Sequence, residues 1–206
     1  MSLILRYMTM GDVPQVITID RLSFDPPWSA RSYAYEVSES TYSHMVVLEQ
    51  TVEVAPATGL RRLVKNLSGA QQAERQIVAY GGLWHIADEA HISTIATHPA
   101  ERGRGYGEIV LAGMVRRALT LNAAYVVLEV RVSNTAAQNL YRKHDFQITD
   151  VKPRYYHNNG EDAYDMRLML TDPVMKQRIE ERYASLRAQH RFIDQYTDVP
   201  PPRGQT

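Results

Sequence analysis

The chain has 206 residues with 44% hydrophobic and 22% charged content, and its 23 basic and 23 acidic residues give a formal net charge of zero. This length predicts one domain with an appendage, and the balanced charge excludes the basic surface of a general nucleic-acid-binding protein. Because the chain has no cysteine, disulfides, thiolate metal sites and a cysteine nucleophile are excluded.

The N-terminal residues turn polar too soon for a secretion signal, and no apolar run approaches the roughly 20 residues that a membrane span needs. We therefore expect a cytoplasmic protein without a membrane partner. The 7 histidines show none of the HExxH-type ligand spacings, so we expect no metal.

The first predicted elements alternate between strand and helix. A strand at residues 3–7 is followed by a helix that opens at Gly11 and is broken by Pro26. Ser29 is placed to cap the N-terminus of a second helix, and residues 44–48 form the next strand. Residues 51–75 are interpreted as an insertion containing a short basic amphipathic helix, which either packs on the sheet or contacts a partner or substrate.

The second half of the chain predicts the larger part of the sheet. Strands at 77–84 and 90–97 precede a glycine-rich loop and a long helix that runs to about residue 121. A buried strand at 125–131, a helix at 134–143, a strand at 146–151, a polar loop at 153–162 and a closing strand at 163–170 follow. Residues 1–170 are therefore one domain.

The C-terminal part is predicted to be one helix and a tail. Thr171-Asp172-Pro173 is a helix start with proline at the first helical position, and the helix is expected within residues 171–193. The proline-rich residues 194–206 are expected to be disordered.

The most informative segment is the loop Arg102-Gly103-Arg104-Gly105-Tyr106-Gly107, between a predicted strand and a predicted helix. Its glycines let the backbone turn tightly and present successive N–H groups, and the helix N-terminus adds about half a positive charge. These features favour a bound pyrophosphate, with charge-assisted contacts from Arg102 and Arg104.

Three other interpretations of this loop stay open. A P-loop nucleotidase requires Gly-Lys-Ser/Thr where Gly107-Glu108-Ile109 stands. A dinucleotide-binding fold requires a third glycine where Glu108 stands, although Glu129 lies near the position of a ribose-binding acid. The loop could also be a merely structural glycine turn.

Pro99 and the spacing Arg102-x-x-Gly105-x-Gly107 resemble the acetyl-CoA pyrophosphate motif of the GNAT N-acetyltransferases. Further segments resemble the ribosomal-protein-alanine N-acetyltransferase (RimI-like) subfamily: Phe24-x-x-Pro27-Trp28-Ser29, Leu128-Glu129-Val130-Arg131-x-Ser133-Asn134-x-Ala136-Ala137-x-x-Leu140-Tyr141, and Tyr155-Tyr156 followed by Asn159-x-Glu161-Asp162-Ala163 and Met166. The chain departs from the family at Gly103, where a second basic residue is common, and at Asp145, where glycine is usual. The insertion and the C-terminal helix have no counterpart in the short bacterial enzymes.

The resemblance implies a GNAT fold of the α/β (α+β) class. Its twisted mixed sheet is mostly antiparallel, is flanked by helices and has one parallel pair, residues 91–97 and 125–131, which splays at a bulge so that the pantetheine arm of acetyl-CoA pairs with exposed backbone. The implied cofactor-binding residues are Ile95, Ala96, Thr97, Arg102, Gly103, Arg104, Gly105, Tyr106, Gly107 and Asn134, the last of which is also placed as a helix N-cap.

The resemblance further implies that an amine attacks the thioester directly in a ternary complex. Glu129 matches the general base and Tyr141 the general acid, and burial is expected to raise the pKa of Glu129 toward the working range. Without the resemblance, Glu129 could be a structural partner of Arg131 or Arg154, and Tyr141 an ordinary helix tyrosine. Three residues are implied near the substrate, with core packing as the alternative: Trp28, Tyr155 and Tyr156.

The predicted function is acetyl transfer from acetyl-CoA to a protein N-terminus, by resemblance the alanine N-terminus of a ribosomal protein. A free α-amine, with a reference pKa of about 7.7–8.0, is partly neutral at pH 7, whereas lysine at about 10.4 is not. The spacing does not exclude small amines or lysine side chains as acceptors. A non-catalytic CoA-binding module is the third interpretation, but it would need neither Glu129 nor Tyr141. The oligomeric state is left open.

Overall fold

The computed structural model describes residues 2–52 and 74–200. Within these ranges one mixed sheet has the strand order β6-β7-β5-β4-β3-β2-β1-β8. The strands are β1 (Ser2–Tyr7), β2 (Ser43–Val52), β3 (Glu74–Ile86), β4 (Glu89–Thr97), β5 (Tyr125–Arg131), β6 (Gln147–Tyr156), β7 (Glu161–Met169) and β8 (Ile193–Gln195). The α-helices are α1 (Val13–Arg21), α2 (Ala30–Ser38), α3 (Tyr106–Thr120), α4 (Thr135–Lys143) and α5 (Pro173–His190). In the part of the chain described, no helix is both long and apolar enough to cross a bilayer.

The central strands are buried on both faces, which explains their continuous apolar runs. In β2, Val46 and Leu48 belong to the core beneath α3, whereas Met45 and Val47 belong to the core beneath α1 and α2. Successive side chains of a strand point to opposite faces, so both sets are almost fully buried. Burial of such side chains stabilises the fold by about 1.5–3 kcal/mol each, and the helices are held on both sides of the sheet.

The parallel pair β4–β5 is short and then splays, as predicted. Pairing runs only from Glu89 opposite Tyr125 to His91 opposite Val127. On the other side of β4, Ser93 is an extra residue, because Gly82 and Leu83 of β3 pair with the residues on either side of it. This bulge bends the strand away from β5, and a gap opens between the two strands.

Several local predictions are confirmed and some bounds differ. Ser29 caps α2 by accepting a hydrogen bond from Ser32 N at 3.0 Å. Thr51 pairs with Arg75 and Val52 with Glu74, so these four residues continue β2 and β3. The predicted insertion 51–75 is shorter by them. The amphipathic helix expected within the insertion lies outside the described residues.

The C-terminal tail was predicted to be disordered from residue 194, and this is wrong for residues 194–200. β8 pairs with β1 in parallel, which adds a second parallel pair that the sequence did not predict. Tyr196 is fully buried and donates a hydrogen bond to the His44 carbonyl at 3.0 Å. The edge of β1 offers unpaired backbone groups that this short segment satisfies. Residues 201–206 lie outside the described part of the chain.

A buried carboxylate fixes this tail to the helices. Asp194 accepts hydrogen bonds from the hydroxyls of Tyr183 and Thr197, and its carboxylate lies 3.3 Å from Arg116 of α3. Because the carboxylate is buried, these partners replace the hydrogen bonds that it would otherwise make with water. The C-terminal segment is therefore packed into the main core with α5.

Asp145 stands where the family usually has glycine, and its backbone explains that preference. Its φ of 64° lies in the left-handed region, which aspartate tolerates better than most residues but still at a cost. Its carboxylate accepts hydrogen bonds from Arg178 at 3.1 Å and Arg182 at 3.0 Å. Both arginines belong to α5, so the C-terminal helix stabilises the departure from glycine.

Candidate active site

The splay between β4 and β5 opens a cleft of about 370 Å³. Its walls come from the segment between α1 and α2, from β4 and β5, from α4 and from the end of β6. Seven residues that the sequence placed in the site line this cleft: Trp28, Ile95, Glu129, Asn134, Tyr141, Tyr155 and Tyr156. The folded chain thus brings together residues more than 120 positions apart.

The glycine-rich loop lies outside this cleft, at the N-terminus of α3. Gly103 and Gly105 have φ of 79° and 80°, a conformation in which glycine is not strained. Gly105 is the N-cap of α3 and provides no side-chain acceptor, so the first N–H groups of the helix remain available to an external acceptor. A Cβ on Gly103 would meet nothing within 4 Å. A Cβ on Gly105 would instead lie 2.9 Å from the His190 ring. The glycine conformations are those that a pyrophosphate-binding loop uses, and the pyrophosphate itself stays a prediction.

The arginines of the loop are engaged within the protein. Arg104 Nη1 lies 2.8 Å from Glu101 Oε2. Arg102 donates to the Thr97 carbonyl and to Ser23 Oγ, both at 3.4 Å. These contacts join the loop to the end of β4 and to the segment after α1. The contacts of Arg102 and Arg104 with phosphate stay predictions.

The remaining predicted cofactor residues surround the junction of β4 and α3. Thr97 Oγ1 would lie 3.0 Å from a Cβ on Gly107, so the loop and the strand end are in close contact. Ala96 is buried against α1, and Tyr106 packs partly buried on the main core. On the opposite side of the cleft, Asn134 caps α4 by accepting a hydrogen bond from Ala137 N at 3.1 Å, which confirms its predicted capping role.

Glu129 lies between two basic side chains. Its Oε2 is 2.8 Å from His91 Nε2, and its Oε1 is 2.5 Å from Lys152 Nζ. Burial acts to raise the pKa of Glu129, but the hydrogen bonds from His91 and Lys152 outweigh it and bring the pKa to about 2. The expectation that burial raises this pKa toward neutrality is therefore wrong.

The low pKa limits what Glu129 can do alone. Moving a proton from an α-ammonium of pKa about 8 to a carboxylate of pKa about 2 costs about 8 kcal/mol at roughly 1.4 kcal/mol per unit. Glu129 is thus a permanent anion at neutral pH. It can orient an amine, and its Oε2 holds the His91 ring beside it.

Tyr141 on α4 presents a protonated phenol to the cleft. Its side chain is 5% exposed, and its hydroxyl has no hydrogen-bond partner within residues 2–52 and 74–200. Burial, with a smaller effect from Tyr156, raises the pKa of Tyr141 above its usual range. The phenol therefore keeps its proton at neutral pH and is free to donate it.

Two further tyrosines form the outer wall. Tyr155 is 41% exposed and lies edge-on to Tyr156, with the ring centroids 5.2 Å apart. The guanidinium carbon of Arg131 is 3.7 Å from the centroid of the Tyr156 ring, and burial raises the pKa of Tyr156 to about 12. The phenols of this wall therefore keep their protons at neutral pH, and the Arg131 guanidinium adds a positive charge beside Tyr156.

Trp28 both packs and lines the cleft, so its two predicted roles coexist. Its backbone N–H donates to Asp20 at 2.7 Å, and Asp20 also accepts from the buried hydroxyls of Tyr33 and Tyr80. The Trp28 ring is stacked on Trp84 at 6.2 Å and 22°. This network fixes the segment after α1 beside the cleft.

The sequence did not identify four residues that shape the site: Asp20, Trp84, His91 and Lys152. His91 begins the strand at 91–97 that the resemblance places beside the cofactor, and only this position hinted at its contact with Glu129. Lys152 reaches Glu129 from two strands away, and its Nζ is also 2.9 Å from Asp165 Oδ2. A contact between residues on two different strands leaves no pattern in the neighbouring sequence from which it could be predicted.

A model of the acetyltransferase (GNAT) family matches residues 14–146. A Bacillus subtilis protein, whose name refers to alanine N-acetylation of ribosomal protein bS18, is 32% identical over 161 residues, covering 78% of this chain and 91% of that protein. An N-alpha-acetyltransferase of Sulfurisphaera tokodaii is 31% identical over 169 residues, covering 79% of this chain and 90% of that protein. Arabidopsis thaliana NAA60 in complex with acetyl-CoA superposes with a TM-score of 0.65 at 13% identity, covering 83% of this chain and all of that chain, which is a likeness of fold.

Proposed function

The chain belongs to the GNAT acetyltransferase family, and from this membership we propose that it transfers an acetyl group from acetyl-CoA to the α-amine of a protein N-terminus, with alanine as the first residue. The observation that carries the proposal is the cleft in which Glu129 and Tyr141 face the gap between β4 and β5. The names of the relatives support a protein N-terminus as the substrate, and we place the reaction in the cytoplasm.

Acetyl-CoA supplies an activated acetyl thioester when it is bound. We assign its diphosphate to the N–H groups of the loop at Gly103 and Gly105, and its arm to the backbone of β4 beyond His91, where β5 no longer pairs. Bound there, the arm would complete the interrupted ladder much as an added strand does. The thioester end is then directed toward Glu129 on β5.

Two proton movements follow from the side chains of the cleft. The Glu129 carboxylate accepts a hydrogen bond from the incoming amine and orients it, and the Glu129–His91 pair takes up the proton that the amine loses. Tyr141 gives its proton to the departing thiolate and recovers one from water. Lys152 keeps Glu129 ionised throughout, since its ammonium remains charged.

The cleft is lined by charged residues, among them Asp25 and Arg131, and by aromatic residues; we assign the first residue of the substrate to the aromatic part. Trp28, Tyr155 and Tyr156 line it, and aromatic side chains offer contact area without a demand for charge. We place a small first side chain such as that of alanine beside them, because a lysine ε-amine would arrive on a long stem with a reference pKa of about 10.4 and would have to be neutralised first.

A peptide screen tests this function. One peptide carries a free alanine N-terminus and an internal lysine, and its matched control has the same sequence with a blocked N-terminus. We expect acetylation only on the free α-amine, located by fragment mass spectrometry. Acetylation of lysine alone would redirect the proposal to side-chain amines, and CoA binding without any acetylation would replace the enzyme by a binding module.

A further inference from the structure

His190, the last residue of α5, lies against the glycine-rich loop. A Cβ atom built on Gly105 would be 2.9 Å from both Cε1 and Nε2 of the His190 ring. The edge of the imidazole that carries Nε2 is therefore in contact with the Gly105 backbone, at the N-cap of α3. A segment without counterpart in the short bacterial enzymes thus reaches the predicted phosphate cradle.

The residues that precede and follow His190 in the chain hold it in place through their own contacts. Arg191, directly after it, has φ of 51° and ends the helix by donating its N–H to the Arg187 carbonyl. Arg187 pairs with Asp198 at 2.8 Å, and Phe192 is buried edge-on against Tyr183. β8 then begins and pairs with β1. The ring is consequently held at the loop by folded structure and is not a loose helix end.

The ring of His190 has hydrogen-bonding capacity that the protein does not use. Neither of its nitrogens bonds to another group within residues 2–52 and 74–200. Four other histidine rings in the same ranges have protein partners: His44 with Tyr7, His91 with Glu129, His98 with the Ala100 N–H, and His144 with Glu108. His85 Nε2 is buried without a hydrogen bond, and the exposed His157 forms none in these ranges, but neither ring is in contact with the glycine-rich loop. His190 is half-buried beside the loop to which we assign the diphosphate, and its Nε2 lies at the edge of the ring that contacts Gly105.

The cations of the loop itself are already engaged. Arg104 pairs with Glu101, and Arg102 is turned toward Thr97 and Ser23. An imidazole N–H is a good donor to a phosphate oxygen, and a hydrogen bond to a charged acceptor is stronger than one between neutral groups. His190 is the uncommitted side-chain donor in contact with the Gly105 backbone.

We propose that His190 Nε2 donates a hydrogen bond to a diphosphate oxygen of CoA, so that the C-terminal segment forms part of the cofactor site. This inference rests on the proposed function, because it requires CoA at the loop. It makes α5 and β8 necessary for full cofactor affinity, and it explains why a segment outside the family pattern is packed so closely against the motif.

The test compares His190→Phe and His190→Ala with Gln189→Ala, an exposed neighbour on the same helix. Calorimetry gives the dissociation constants for CoA and 3′-dephospho-CoA, and kinetics gives kcat and the two KM values. We expect both His190 variants to bind both ligands about tenfold more weakly and to raise KM for acetyl-CoA alike. The KM for the peptide and kcat stay unchanged, and Gln189→Ala behaves as wild type.

Three results would overturn the inference. Wild-type affinity in His190→Phe with weak binding in His190→Ala would make the ring a packing element. A loss seen with CoA but not with 3′-dephospho-CoA would move the contact to the 3′-phosphate. Unchanged affinity in both variants would remove His190 from the site. Failure of the wild-type chain to bind CoA would instead contradict the proposed function, so the two failures are distinguishable.

Discussion

Lys152 Nζ lies 2.5 Å from Glu129 Oε1, across 23 residues of sequence. The same ammonium also contacts Asp165 at 2.9 Å. This relationship makes the carboxylate of the site a stable anion, in contrast to the neutralised acid that burial alone would produce. The charge of Glu129 is therefore held by His91 on β4 and by Lys152 on β6.

Lys152→Met is expected to raise the pKa of Glu129 above its present value of about 2, because burial still opposes the charge while one of two favourable hydrogen bonds is lost. Carbon-13 NMR titration of labelled glutamate carboxyls measures this change. Lys152→Arg keeps a cation at the position and is the matched control. An unchanged Glu129 titration in Lys152→Met would mean that His91 alone holds the pKa down.

Glu129→Gln is expected to lower kcat by about 10²–10⁴-fold, the usual contribution of acid–base catalysis, while the dissociation constant for CoA changes little. The amide keeps the shape of the side chain but cannot orient an ammonium by charge or share a proton with His91. Steady-state kinetics and calorimetry give the two quantities. Comparable turnover in the variant would remove Glu129 from the mechanism.

Tyr141→Phe is expected to lower kcat at least about tenfold, since the phenol is the donor that faces the cleft and its raised pKa keeps it protonated. The aromatic ring and its packing on Phe146, at 6.0 Å between centroids, are retained. Single-turnover release of free thiol measures the affected step. A normal rate would assign the proton to water or to another group.

The lowered pKa of the buried His44 predicts that the fold loses stability in mild acid. His44 is 1% exposed, and burial, with Arg117 and His85 nearby, lowers its pKa to about 4. His44 binds a proton near pH 6.5 in the unfolded chain but only near pH 4 in the folded chain. The stability that the neutral imidazole contributes is therefore fully present above pH 6.5 and is lost as the pH falls from 6.5 to 4. The loss from pH 7.5 to pH 5 is about 2 kcal/mol.

Urea unfolding at the two pH values measures this effect, with His44→Gln as the comparison. The variant is less stable at pH 7.5 but should lose about 2 kcal/mol less on acidification. Parallel pH dependence in both proteins would assign the acid sensitivity to other groups.

Asp145→Ala is expected to destabilise the fold by about 1–3 kcal/mol, because it keeps a left-handed backbone and loses both arginine contacts. Asp145→Gly loses the same contacts but removes the backbone strain, so its loss should be smaller by about 1 kcal/mol. Denaturant unfolding compares the two. Equal stabilities would show that the φ of residue 145 carries no cost.

The sequence predicted those parts of the site that depend on local pattern. The turn at Gly103 and Gly105 needs glycine at fixed spacing, and the capping role of Asn134 depends only on the helix that follows it. The partners of Glu129 could not be predicted in this way. His91 and Lys152 reach it through the register of β4, β5, β7 and β6, and the register of β6 against β7 shifts twice.

β8 escaped prediction for a different physical reason. Three residues are too few to show an alternating pattern, and only the central one, Asp194, is buried. Its stability comes from tertiary partners, namely the β1 backbone and the network around Arg116. The prediction of disorder rested on the proline-rich residues that follow β8, whose composition is typical of unfolded segments.

The pairing of β8 with β1 gives the chain a built-in protection against self-association. An unpaired outer strand is a template on which another molecule can add its own strand and start an aggregate. Here the chain occupies that template at Ile4, Leu5 and Arg6 with its own C-terminal residues. Proteolytic removal of the residues after 192 would expose the β1 edge. The truncated protein should then aggregate in concentrated solution before it loses catalytic activity.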